Sequence, residues 1–130
     1  MTDTTNYTAN RSAAAGAPLE WSVVCDFDGT ITKTDTTDRI LECFADPAWQ
    51  AIEAAWLQGR ISAAECMRWQ IAMLHASERQ INRVLDAMVL QAGFSDFVAW
   101  CERRAVPLVI VSDGIDVFIR RILARHGLAR

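Results

Sequence analysis

Two short apolar runs constrain this chain most, because each stops at a polar turn and a long helical pattern separates them. Trp21-Ser22-Val23-Val24-Cys25 is β-prone and ends at Asp26-Phe27-Asp28-Gly29-Thr30; Leu108-Val109-Ile110-Val111 is unbroken and ends at Ser112-Asp113-Gly114. Such patterns predict two strands, the second buried on both faces. Between them, Asp46-Pro47 pairs an N-cap with a proline at the first helical position, ahead of Trp49, Ile52 and Trp56, before Gly59. Ser62 with Glu65, and Ser77 with Gln80, form capping boxes ahead of further apolar faces. One more helix carries Phe97, Trp100 and Cys101, and a last one carries Phe118, Ile119, Ile122 and Leu123 up to Gly127. The order strand, helices, strand, helix predicts an α/β layer with parallel strands.

Composition narrows the function. The chain of 130 residues is 52% hydrophobic and 22% charged, an ordinary soluble globule of single-domain size. A net charge of -3 gives no basic field for nucleic acid, so a small substrate is the expected partner. Cys25, Cys43, Cys66 and Cys101 form no Cys-x-x-Cys pair and are read as free, mostly buried thiols. Residues 1–18 hold no apolar run long enough for a secretory signal or a membrane span. They are expected to be a flexible tail, on a protein that works in the cytoplasm without membrane partners.

The turn after the first strand carries the chemistry. Residues two apart in an extended segment point the same way, so Asp26 and Asp28 project together from the strand's carboxyl end, where parallel α/β sheets bind ligands. Two carboxylates so close repel, which favours a shared proton or a hard divalent cation such as Mg²⁺. In phosphoryl transfer, one attacks phosphorus while the other gives and later takes a proton. Gly29 permits the sharp turn.

Val-Val-Cys-Asp-Phe-Asp-Gly-Thr resembles the first motif of the haloacid dehalogenase (HAD) superfamily, and Val-Ile-Val-Ser-Asp-Gly resembles its second. The resemblance implies a Rossmann-like HAD core, Mg²⁺ held at Asp26 and Asp28, an aspartyl-phosphate at Asp26, and phosphate binding by Ser112 with the backbone N–H of Asp113. It makes 19–35 and 91–130 a partial core and 36–90 a helical cap insert that closes over substrate. Asp-Gly-Thr-Ile-Thr, an all-helical cap and Val-Ser-Asp-Gly look most like phosphoserine phosphatase relatives, particularly the methionine-salvage phosphatases. The implied activity is Mg²⁺-dependent hydrolysis of a small phosphomonoester. A phosphotransferase or mutase with the same nucleophile, and a non-catalytic phosphate- or metal-binding remnant, remain open. The family's third motif, a Lys or Arg for phosphate, and its fourth, acids for the metal, are not visible, so the chain is expected to be truncated or to depend on something outside it.

Plainer readings compete. Asp26 as the start of a calcium loop fails, since the sixth position is Ile31 and the twelfth is Thr37. Ser112-Asp113-Gly114 alone reads as a strand-to-helix turn capped by Ser112. Asp35 to Asp38 reads as a helix N-terminus, His75 and His126 as helix-end residues, and Arg120, Arg121 and Arg125 as a solvated face. Trp49, Trp56 and Trp69 fall at helical spacing and are expected in the core.

Overall fold

A computed structural model describes residues 21–128; the expected N-terminal tail lies outside the described residues. Eight elements follow in chain order: β1 (Val23–Asp26), α1 (Thr36–Phe44), α2 (Trp49–Leu57), α3 (Ala63–Ala72), α4 (Glu78–Asp86), α5 (Phe94–Arg103), β2 (Leu108–Val111) and α6 (Asp116–Arg125). They divide between two compact units. One contains residues 21–36 and 85–128 and therefore both strands; the other contains residues 37–84.

In the strand unit, β1 and β2 pair in parallel, with Val23 opposite Leu108, Cys25 opposite Ile110 and Asp26 opposite Val111. Side chains alternate across a strand, so this register gives the pair two unlike faces. Leu108 and Ile110 are buried on one, above half-buried Val23 and Cys25. On the other, Val109 and Val111 are half-buried and Val24 is 68% exposed. The apolar run of β2 is thus covered on one face among the described residues, not on two as its composition predicts. Composition records that four apolar residues follow one another, but not what lies over each face. The buried set Phe94, Val98, Cys101, Val106, Ile119, Ile122 and Leu123 comes from α5, α6 and the loop into β2. At the close of α6 the chain turns left-handed at Gly127 (φ 70°), which places that glycine just past the helix end as expected.

The chain leaves and re-enters the strand unit through two tied segments. Thr32 and Leu90 form an antiparallel bridge, with Lys33 N–H donating to the Val89 carbonyl at 3.0 Å and Gln91 N–H to the Ile31 carbonyl at 2.8 Å. The returning stretch is held further by Arg121, which grips Asp86 through two 2.8 Å hydrogen bonds, and by His126 Nε2, 3.1 Å from the Met88 carbonyl. These ties, with Leu85, Met88 and Leu90 buried, explain why residues 85–90 lie with the strands.

The second unit is helical. Both capping boxes form: Ser62 accepts from Glu65 N–H while Glu65 accepts from Ser62 N–H, and Ser77 and Gln80 repeat the exchange before α4. Helix α2 departs from expectation, starting at Trp49 behind Ala48 rather than at Pro47. Asp46 nevertheless accepts the Ala48 N–H at 2.9 Å across Pro47, the bond a capping side chain makes, and its carbonyl accepts from Trp49 N–H at 3.0 Å, so a turn tied by Asp46 leads into the helix. Helices α2 and α3 pack together around a polar contact in which buried Gln70 donates to Glu53 at 2.6 Å. That contact turns Cys66 and Gln70 inward and leaves Trp69 46% exposed, so of the three expected core tryptophans Trp49 is buried and Trp69 is not. The thiols divide similarly: Cys66 and Cys101 are buried, Cys25 is intermediate and Cys43 is exposed.

Candidate active site at the carboxyl end of the strand pair

Asp26 is the last residue of β1, and alternation continues through the next two positions. Phe27 turns inward to full burial, so its neighbours Asp26 and Asp28 turn out. The Phe27 carbonyl then accepts from the N–H groups of Thr30, Ile31 and Thr32, winding the backbone into a tight turn. Gly29 takes φ 71° within it, a left-handed angle that glycine adopts without a Cβ penalty. Fully buried Thr32 braces the loop, accepting from Gly29 N–H and donating to the Thr34 carbonyl at 2.8 Å.

The two carboxylates sit in different surroundings. Asp26 is exposed and accepts from the Thr30 hydroxyl at 3.2 Å. Asp28 is partly buried, and its Oδ1 accepts the backbone N–H of Thr36 at 2.7 Å. Burial pushes the Asp28 carboxyl above its ordinary range; the hydroxyl and N–H of Thr36 pull it back, and the charges of Asp35 and Asp26 add to the rise. The Thr36 hydroxyl exerts its pull from nearby without a hydrogen bond of good geometry, so the N–H is the contact that orients the carboxylate. Burial also raises the Cys25 thiol, with the Asp26 charge adding to it, which keeps that neighbour protonated and out of the chemistry.

The parallel register carries the second motif to the same edge. Asp26 lies opposite Val111, so Ser112, Asp113 and Gly114 leave β2 beside the carboxylate loop. Ser112 Oγ accepts from Gly114 N–H at 3.0 Å, which leaves the hydroxyl proton free to donate elsewhere. That bond closes a turn, not a helix: α6 begins only at Asp116, behind Ile115. Gly114 stands between the two motifs, for a Cβ there would meet Asp28 Oδ2 at 2.7 Å and Ser112 Oγ at 3.1 Å. Asp113 is exposed.

Residues that sequence reasoning left in doubt fall away from this cluster. Arg120 pairs with Asp116 at 2.8 Å and Arg121 with Asp86, so both guanidinium groups are held in ion pairs along or beside α6. Among the described residues no three His, Cys, Asp or Glu side chains gather as a metal cage. The donors present are hard carboxylate oxygens, and Mg²⁺ is commonly held by one or two carboxylates, with water and substrate phosphate filling the rest. Asp26 and Asp28 fit that mode. Thr30, Thr36 and the tight clearance at Gly114 were missed from sequence, where a threonine in a polar stretch has no pattern that sets it apart.

A parallel strand pair bearing two carboxylates and a serine turn at one edge is the Rossmann-like α/β arrangement of a phosphoryl-handling hydrolase core. The chain belongs to the haloacid dehalogenase-like hydrolase family, whose model matches residues 23–130. It is similar to a 2-hydroxy-3-keto-5-methylthiopentenyl-1-phosphate phosphatase of Brevibacillus brevis, 38% identical over 107 residues that cover 81% of this chain and 48% of that protein. A protein of the same name from Geobacillus kaustophilus is 40% identical over 103 residues, 76% of this chain and 46% of that one. A crystal structure of a HAD family hydrolase from Salmonella enterica serovar Typhi superposes with a TM-score of 0.73 at 25% identity, covering 85% of this chain and 39% of that one. The chain thus spans about half the length of the known relatives it matches. No described helix is long and apolar enough to cross a membrane.

Proposed function

We propose that this chain contributes the nucleophile, the acid/base and a phosphate-binding turn of a phosphatase acting on a small phosphorylated metabolite. The observation that carries this reading is the parallel register of Asp26 with Val111, which sets a carboxylate pair against a serine turn at one strand edge. In this reading Asp26, exposed and in light contact with Thr30, attacks phosphorus and forms an aspartyl-phosphate as the ester oxygen departs. Asp28, raised toward its protonated form, gives that oxygen a proton; as carboxylate it then takes one from the water that breaks the Asp26–phosphorus bond. Ser112 Oγ–H and the backbone N–H of Asp113 receive phosphoryl oxygens, stabilising charge that grows in the transition state. Mg²⁺ held by Asp26 and Asp28, when bound, supplies neutralisation of phosphoryl charge.

The names of the relatives support 2-hydroxy-3-keto-5-methylthiopentenyl-1-phosphate as the first substrate to try. The helical unit 37–84 occupies the place in the chain where the family's cap is inserted, and we assign substrate selection to it. The test is hydrolysis of that ester and of p-nitrophenyl phosphate with Mg²⁺, using the protein as its gene encodes it. Turnover by the parent that disappears in Asp26→Asn supports the reading. Transfer of the phosphoryl group to another alcohol instead of water would make the protein a phosphotransferase, and turnover retained in Asp26→Asn would remove the nucleophile.

A further inference from the structure

The carboxylate loop has two ends, and only one of them is a strand. At Asp26 it leaves β1, whose register with β2 fixes that end. At the other end, residues 31–33 are tied to residues 89–91 by the Thr32–Leu90 bridge and by the N–H groups of Lys33 and Gln91. Thr32 joins the two arrangements, since its hydroxyl accepts from Gly29 N–H inside the loop while its backbone lies in the bridge. Bonds within the loop give it a shape; where its far end stands depends on what holds residues 85–91, which are outside the strand pair. Arg121 Nε and Nη2 donate side-on to Asp86 Oδ1 and Oδ2, both at 2.8 Å, and His126 Nε2 stands 3.1 Å from the Met88 carbonyl. Arg121 lies in α6 and His126 caps its end, and buried Ile119, Ile122 and Leu123 fix that helix, the element that follows the Ser112 turn.

We propose that Arg121 and Asp86 are a positioning pair for the carboxylate loop, joining the helix behind the serine turn to the segment that closes the aspartate turn. This rests on the catalytic roles given above to Asp26 and Asp28. Two routes then set the motifs against each other: the β1–β2 register, and the path from α6 through Asp86 and Leu90 to Thr32. A side-on guanidinium–carboxylate pair suits the task because two parallel bonds fix orientation as well as distance. The plain alternative is a surface ion pair, for the side chains are 40% and 35% exposed, and such pairs add little to overall stability. Loss of a mere surface pair changes neither the loop nor the rate, whereas loss of a positioning pair changes both and leaves global stability nearly untouched.

Arg121→Gln and Asp86→Asn each break the paired bonds while keeping a polar side chain of similar size, and Asp86→Glu keeps a carboxylate. With Mg²⁺ and p-nitrophenyl phosphate, using the protein as its gene encodes it, kcat is expected to fall about tenfold in either of the first two, short of the roughly 10²-fold that a catalytic group misplaced by about 1 Å costs. KM and the urea midpoint stay near the parent's, the double variant loses no more than either single one, and Asp86→Glu recovers most of the rate. Unchanged kcat in both single variants, or losses that multiply in the double variant, would overturn the proposal. Amide hydrogen exchange reads the same path without turnover. Exchange at Gly29, Lys33 and Gln91 is expected to quicken in Arg121→Gln, while Val23, whose N–H donates to the Pro107 carbonyl at 2.8 Å, keeps the parent's rate. Equal quickening at Val23 would show general loosening and overturn the proposal. A parent without phosphatase activity removes the reading of the site, and exchange at Gly29 then decides the pair: quickening there supports it, and an unaltered rate overturns it.

Discussion

Gly114 lies so near Asp28 that a single added methyl group would stand 2.7 Å from Oδ2, closer than van der Waals contact permits. Its φ is outside the left-handed region, so the backbone there accepts alanine and the obstacle is the carboxylate alone. Gly114→Ala is expected to leave the fold in place and displace Asp28. Misplacement of a catalytic group by about 1 Å costs on the order of 10²-fold in rate. Steady-state kinetics beside a circular dichroism spectrum checks this; unchanged turnover with alanine would mean the two motifs do not work at such close range.

Asp28→Asn should separate stability from activity. Burial raises the Asp28 carboxyl, so the folded protein binds this proton more tightly than the unfolded chain does. The ionised group therefore costs stability once pH rises through its folded range, and costs nothing below the unfolded value of about 3.9. Asparagine keeps an oxygen for Thr36 N–H without the charge. In the absence of Mg²⁺ the variant should melt higher than the parent at neutral pH, with the gap closing as the solution is acidified below about pH 4. A variant less stable at neutral pH would show that the charged carboxylate is compensated in the fold.

Ser112→Ala removes a hydroxyl whose proton is uncommitted while its oxygen holds Gly114 N–H. Loss of a hydrogen bond to a charged group costs about 1–3 kcal/mol. Catalytic efficiency should fall accordingly with the fold retained, and full efficiency in the alanine variant would reduce Ser112 to a turn residue.

Much of this arrangement is legible in the sequence because it is local. The strand ends at Asp26 and Val111, the turn at Gly29 and both capping boxes each depend on residues within a few positions of one another. What escaped detection depends on partners farther off. Thr36 matters because Asp28 reaches it across an intervening loop, and Gly114 because a carboxylate from the other strand's turn leans on it. The half-buried side of β2 departs from expectation for the same reason, since the cover over each face of a strand is not encoded in the strand. Trp69 was expected in the core from helical spacing alone, but the Glu53–Gln70 contact sets which side of α3 turns inward.

The capping box at Ser62 offers a test confined to the helical unit. Ser62→Ala removes the acceptor for Glu65 N–H and should cost about 1 kcal/mol in urea unfolding. Unfolding by a signal local to that unit, such as Trp69 fluorescence, is the suitable readout; an unaltered midpoint would show that α3 is fixed by packing without its cap.

The identity of the phosphorylated atom tests the nucleophile most directly. Protein mixed with substrate and Mg²⁺ is quenched in acid within the first turnover, digested and read by mass spectrometry. A phosphoryl group on the peptide containing Asp26, lost on hydroxylamine treatment and absent from Asp26→Asn, is the expected result. Phosphate released at the parent's rate by Asp26→Asn, or a phosphoryl group trapped on any other residue, would contradict Asp26 as the nucleophile.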